Sequence, residues 1–152
     1  ISDPGEDLVK LCAEAGITVC AIPGPCAVIT ALSISGQSTG RFCFEGFLPQ
    51  KKGRQTRLME LAEEQRTMIF YESPYRLVKT LEQFAEFFGA GRECSVAREI
   101  SKKFEEHKRG TLAEVASWYK EHEPKGEIVI IVAGAPEKKK DKKSYRKADE
   151  DD

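Results

Sequence analysis

The sequence predicts an α/β fold, in which helices flank a mixed, largely parallel sheet. Runs rich in β-branched residues, such as TMIFYE and EIVIIVA, predict buried strands, because continuous apolar runs are typical of strands covered on both faces. Between these runs lie segments whose apolar residues recur at helical spacing. Strands that alternate with helices along the chain are the pattern of α/β proteins.

The elements are predicted in order along the chain. The first are a helix that begins at Pro4 with Asp3 as its N-cap and ends at Gly16, a buried strand at 17–22, a buried helix at 27–34, a strand at 42–47, a helix at 54–64 and a strand at 67–72. Then follow a helix capped by Ser73-Pro74 and ended by Gly89, strands near 94–99 and 104–109, a helix at 112–122 and a buried strand at 127–133. The short link between the strands near 94–99 and 104–109 suggests that these two are antiparallel neighbours.

Length and composition narrow the class of protein. The chain has 152 residues, 40% of them hydrophobic and eight of them Phe, which is enough to build a core. Its longest apolar run, 128–133, is far shorter than the ~20 residues that cross a bilayer. Five cysteines without a Cys-x-x-Cys pair favour a reduced, cytoplasmic setting over a disulfide framework. The two histidines have no Cys or carboxylate at ligand spacing, so no metal site is expected.

The turn Pro23-Gly-Pro-Cys26-Ala27 is the first candidate site. In open α/β sheets, ligands bind beyond the carboxyl ends of strands, where helix N-termini present free N–H groups. Gly24 permits close approach of the backbone, and Pro25 suits the start of a helix. A turn that only connects two elements has the same composition, so both interpretations stay open. The chain contains neither a G-x-G-x-x-G nor a P-loop motif, which argues against ordinary nucleotide sites.

Ionisable residues at the ends of two other predicted strands form the second candidate site. Glu72 follows one strand, and Arg98 and Glu99 follow another. Charges at such positions are either paired with one another or functional. The two carboxylates are therefore candidate general bases and Arg98 a residue that could orient them, with a structural Arg98–acid pair as the alternative.

The third candidate site is the stretch FEGFLPQKKGRQTRL, which carries the cations Lys51, Lys52, Arg54 and Arg57 at the start of a predicted helix. The chain as a whole has a net charge of −1, and helix N-termini disfavour cations. This misfit suggests a phosphate-binding surface, although a basic run is often only a solvated face. Composition does not choose between RNA, DNA and a small polyanion.

Seven segments together resemble the tetrapyrrole methylase superfamily and, within it, the methyltransferases of small-subunit ribosomal RNA. In chain order they are ISDPG, IPGPCAVITALSISG, RFCFEGFLPQKKGRQTRL, RTMIFYESPYRL, VAREISK, RGTL and GEIVIIV. The resemblance extends to about Gly134. FEGFLP followed by basic residues resembles the RNA enzymes rather than their small-molecule relatives.

The resemblance implies S-adenosyl-L-methionine-dependent methylation of the ribose 2′-hydroxyl of a cytidine in 16S ribosomal RNA, by a cytoplasmic homodimer that acts on the small (30S) subunit. It implies two α/β domains with the cofactor in the cleft between them. The cofactor would contact the main chain of Pro25, Cys26 and Ala27, with Ala97 and Arg98 on the facing domain. The four cations of the basic stretch would contact RNA phosphates.

Members of this superfamily carry a further N-terminal domain, and this sets our expected domain division. We expect 1–36 to be the end of a first, cofactor-binding domain, 37–134 to be a second α/β domain, and 135–152 to be a disordered charged tail. Such a fragment would be inactive alone. Two other functions remain open: a precorrin-type tetrapyrrole methyltransferase with the same cofactor, and a non-catalytic RNA-binding module.

Overall fold

A computed structural model describes residues 1–2 and 4–137, and it confirms the α/β class. The predicted N-cap Asp3 and most of the predicted tail lie outside the described residues. The elements, in chain order, are α1 (Gly5–Glu14), α2 (Ala27–Ser33), β1 (Phe42–Gly46), α3 (Arg54–Leu61), β2 (Thr67–Glu72), α4 (Leu77–Phe88), β3 (Glu93–Arg98), β4 (Glu106–Thr111), α5 (Leu112–Glu121) and β5 (Ile128–Val132).

The five strands form one mixed sheet in the order β1-β2-β5-β3-β4. Only β1 and β2 pair in parallel, whereas β2–β5, β5–β3 and β3–β4 are antiparallel. The expectation of a largely parallel sheet is therefore corrected. The first three strands do run in the same direction, as helical crossovers require. However, β4 reverses direction through the short link after β3, and β5 then inserts between β2 and β3.

Alternating side chains divide the core between the two faces of the sheet. On one face Met68 and Phe70 of β2 pack into a large cluster beneath α3, α4 and α5. On the other face Ile69 packs into a smaller cluster with Val28 and Leu32 of α2. Successive residues of a strand point to opposite faces of the sheet, so neighbouring side chains at the ends of β2 and β3 also lie on opposite faces.

The N-terminal segment departs from the sequence prediction. Residues 17–22 form no strand, and Ile17, Val19 and Ile22 are exposed, because no strand of the described sheet lies beside them to complete a ladder. The helix predicted at 27–34 exists, but it is buried on one face only: Ile29 remains 51% exposed. No helix among the described residues is long and apolar enough to cross a membrane.

Candidate active site

A cavity of about 510 Å³ opens at one end of the sheet, where β2 ends, β5 begins and α2 starts. Its volume lies within the range of small-molecule sites, which is about 300–1,000 Å³. The walls are mainly apolar, with a few carboxylates and loop backbone. The lining residues are Ile1, Ser2, Ala27, Phe47, Tyr71, Glu72, Ser73, Pro74, Ile100, Gly126, Glu127, Ile128 and Val129.

The turn before α2 reaches this cavity through Ala27, which is the first residue of the helix. Cys26 is the exposed N-cap residue, and its carbonyl oxygen accepts hydrogen bonds from the amide of Thr30 (3.0 Å) and from its hydroxyl (2.8 Å). Ala97, predicted to contact the cofactor, is buried in the cluster beneath α2. Its small side chain therefore supports the helix whose start borders the cavity.

Tyr71 is a cavity residue to which the sequence analysis gave no role, although it immediately precedes Glu72 at the end of a predicted strand. Its ring makes an edge contact with Phe44, with centroids 5.1 Å apart, and a tilted contact with Phe47 at 5.6 Å. Burial raises the pKa of the Tyr71 hydroxyl, so this group stays protonated at neutral pH. Tyr71 thus adds a rigid aromatic wall. Its position at the end of a strand was predicted from the sequence, but only the fold shows that its ring lies on the α2 face of the sheet.

Glu72 lies at the same edge, but its carboxylate is tied into a network on the opposite face. Oε1 accepts hydrogen bonds from the Ser73 amide (2.7 Å) and from Nε of Arg76 (3.0 Å), and Oε2 accepts one from the hydroxyl of Thr80 (2.7 Å). Its side chain is only 4% exposed. Such a carboxylate fixes the Ser73-Pro74 turn through these hydrogen bonds.

Arg98 and Glu99 are both engaged in contacts that hold loops. Arg98 donates from Nε to Glu106 (3.2 Å), and this is the structural pair between Arg98 and an acid that the sequence left open. It also donates from Nη1 to the carbonyl of Lys125 (3.2 Å). Glu99, in a left-handed conformation (φ 53°), accepts from the amide of Glu127 (2.7 Å) and from Nζ of Lys102 (3.1 Å).

The contacts of Glu99 have two consequences. The amide of Glu127 and the ammonium of Lys102 lower the pKa of the Glu99 carboxyl, which makes this group a weak base. The carboxylate also packs on Gly126, where any side chain would collide with it. Glu99 therefore holds the loop before β5 that forms one wall of the cavity.

The basic stretch separates into two pairs of residues. Lys51 and Lys52 are exposed in the turn before α3, and they form no ion pair within the described part of the chain. Arg57 instead binds Glu45 (2.7 Å) and Glu60 (2.9 Å). Arg54 donates to Gln83 (2.8 Å), to the carbonyl of Pro49 (3.2 Å) and to the hydroxyl of Thr80 (2.9 Å). The two lysines are therefore available to an anion, whereas both arginines brace the loop.

Comparison with known proteins places this geometry in a family. The family described as Tetrapyrrole (Corrin/Porphyrin) Methylases matches residues 1–116. The chain belongs to the tetrapyrrole methylase family. Within the described residues, no group of three or more His, Cys, Asp or Glu side chains could hold a metal ion.

Several curated relatives of this tetrapyrrole methylase chain carry the name ribosomal RNA small subunit methyltransferase I. The protein from Synechocystis sp. is 49% identical over 136 residues, which are 89% of this chain and 49% of the relative. The proteins from Vibrio cholerae and Escherichia coli O157:H7 are each 49% identical over 137 residues, or 88% of this chain and 48% of theirs. The chain thus spans about half the length of the curated relatives it matches.

Solved structures of tetrapyrrole methylases share the fold. Cobalt precorrin-4 methyltransferase aligns with a TM-score of 0.62 at 13% identity, covering 86% of this chain and 58% of that one. Uroporphyrin-III C-methyltransferase from Thermus thermophilus, complexed with S-adenosyl homocysteine, aligns with a TM-score of 0.60 at 17% identity, covering 88% and 60%. At these identities the likeness shows the fold alone.

Proposed function

We propose that the protein is an S-adenosyl-L-methionine-dependent methyltransferase that acts on the ribose 2′-hydroxyl of a cytidine in 16S ribosomal RNA. The observation that carries the proposal is the 49% identity to relatives named ribosomal RNA small subunit methyltransferase I, over 89% of the chain. The two exposed lysines on the loop that follows the cavity residue Phe47 are consistent with a polyanionic substrate. The chain spans about half the length of these relatives, so the activity is proposed for the whole protein.

The cavity fits the proposed cofactor in size and chemistry. Ala27, Tyr71, Ile100 and Val129 provide apolar and aromatic surface of the kind that accepts an adenine ring. When bound, the cofactor supplies an electrophilic methyl group. The main chain of Pro25, Cys26 and Ala27 would hold it at the start of α2, with Ala97 beneath that helix and Arg98 at the same edge of the sheet.

The hydrogen bonds of the two candidate bases favour supporting roles. Glu72 would hold the Ser73-Pro74 turn and Glu99 the loop before β5, so that both shape the cavity. The hypothesis that either one accepts the hydroxyl proton has a direct test in the pH dependence of kcat. If Glu99→Gln or Glu72→Gln only raises the KM for the cofactor, the residue shapes the cavity. If the substitution lowers kcat and also abolishes the fall of kcat at low pH, the residue is the general base.

The wider organisation is part of the same proposal. Residues 1–36 would complete a first domain, 37–134 would form the second, and two copies would assemble into a cytoplasmic homodimer. Lys51 and Lys52 would contact phosphates of the small ribosomal subunit, while Arg54 and Arg57 keep the loop in place.

Transfer of labelled methyl groups tests the proposed function. The protein, produced from its complete natural coding sequence, is incubated with labelled S-adenosyl-L-methionine and either unmethylated 30S subunits or a precorrin. We expect label in 16S RNA, at a ribose that becomes resistant to alkaline cleavage. Labelling of the precorrin alone would identify a tetrapyrrole enzyme, and RNA binding without transfer would identify a binding module.

A further inference from the structure

Phe47 lies between the candidate cofactor cavity and the basic loop, and it is 58% exposed. Its side chain lines the cavity of about 510 Å³ on one side. On the other side it lines a shallower groove of about 390 Å³ with Leu48, Pro49 and Gly53. Single exposed aromatic residues are common on protein surfaces. Phe47 lines both the cavity and the groove, and this position suggests that its ring contacts a ligand.

The backbone around Phe47 orients this ring. The pairing of β1 with β2 shifts register between Phe44 and Gly46, and such a bulge redirects the side chains that follow it. Gly46 has φ 60°, a left-handed conformation that favours glycine. The ring then rests against Tyr71, whose own ring is held by Phe44. Phe47 is therefore an aromatic surface supported from one side and open on the other.

The exposed cations on the loop of Phe47 favour an anionic ligand. Glu45 and Glu60 line the groove, and Arg57 pairs with both and offsets one of their two negative charges. Lys51 and Lys52, on the same loop as Phe47, add two exposed cations that lack an ion pair in the described ranges. An aromatic ring beside unpaired cations is the combination with which proteins bind single-stranded nucleic acid, because bases stack on the ring while cations track the phosphates.

We propose that Phe47 is a stacking platform for an unpaired nucleobase of the RNA substrate, next to the ribose that enters the cavity. This inference rests on the proposed function, and it adds a residue that positions the RNA. Base-specific recognition of RNA generally uses single strands whose bases are splayed onto aromatic rings. A fully paired duplex would present no such base, so Phe47 selects for single-stranded or opened RNA.

Affinity measurements test the stacking with matched variants of the protein produced from its complete natural coding sequence. The probe is a short, fluorescently labelled, single-stranded RNA that contains cytidine, with a duplex of equal length for comparison. We expect Phe47→Ala to raise the Kd for the single strand about 5- to 150-fold, the range measured for one stacked base. Phe47→Tyr should restore the affinity, whereas Phe47→Leu should not, because leucine supplies apolar surface without an aromatic face.

Phe104 provides the control, since it is 65% exposed, lies under Lys103 and borders neither the cavity nor the groove. Phe104→Ala should leave the Kd unchanged. The tryptophan fluorescence of Phe47→Trp should be quenched by the single-stranded RNA, whereas that of Phe104→Trp should not. The fluorescence of the unsubstituted protein, which contains Trp118, is subtracted from both. This optical signature does not depend on activity, and a role of Phe47 in stability alone would not produce it.

The outcomes separate this inference from the proposed function. If the unsubstituted protein binds and methylates RNA, but Phe47→Ala binds like Phe104→Ala and Phe47→Trp is not quenched, the stacking role is refuted and the function stands. If Phe47→Ala instead changes only the oligomeric state in sedimentation, a second copy covers the ring and the inference is wrong. If the unsubstituted protein binds no RNA, both proposals fail.

Discussion

Replacement of Thr80 by valine should destabilise the fold by removing one hydroxyl from the network that joins the cavity edge to the basic loop. Thr80 is 2% exposed, and its hydroxyl donates to Glu72 while it accepts from Arg54. Valine has nearly the same shape and a similar helix propensity, so the substitution isolates the hydroxyl. It leaves one oxygen of a buried carboxylate without a donor and one guanidinium N–H of Arg54 without an acceptor.

The expected cost follows from these two contacts. A hydrogen bond to a charged group contributes roughly 1.5–3 kcal/mol, and a buried partner left without one loses its solvation as well. Arg54 is only partly buried, so water can replace its contact. We therefore expect a loss of about 2 kcal/mol in the free energy of unfolding. For a chain of this length, that loss lowers the Tm by about 4–8 °C.

Thermal and urea unfolding, followed by circular dichroism, measure this effect. Thr56→Val is the matched control, because Thr56 is an exposed threonine in α3 and should change stability by less than about 0.5 kcal/mol. Equal melting temperatures for the two valine variants would refute the network as a source of stability.

Three other predictions concern charge and the chain end. Lys51→Ala combined with Lys52→Ala should flatten the slope of log K against log salt for RNA by ~2, about one unit for each lost phosphate contact, and an unchanged slope would show a solvated face only. The hydrogen bond from the amide of Glu127 lowers the pKa of Glu99 in the folded state. The Glu99 carboxylate therefore stabilises the fold above its unfolded pKa, and this contribution is lost as the pH falls through the folded pKa. In melting curves recorded against pH, Glu99→Gln should show a smaller loss of Tm on acidification than the unsubstituted protein. Deletion of 138–152, which is nearly all charged and has little to bury, should leave the Tm unchanged; a clear drop would mean that this segment docks.

Local sequence patterns were sufficient to predict most elements. The apolar spacings of 77–88 and of 112–122 specify helices through contacts between near neighbours, and both helices form as expected. The apolar run at 128–132 likewise specified a fully buried strand. These signals are carried by residues within one or two turns of each other, so the sequence by itself determined most of the helices and strands, although not the segment 17–22.

Long-range pairing decided the remainder, because no local pattern encodes which strand lies beside another. The insertion of β5 between β2 and β3 made most pairings antiparallel, and the lack of a neighbouring strand in the described sheet left 17–22 without a ladder. The same holds for the charges. Sequence placed Arg57 in a basic run, but only the fold brought Glu45 to it, since ion pairing depends on distance in space rather than along the chain. Among the residues that the structure describes, Lys51 and Lys52 have no such partner.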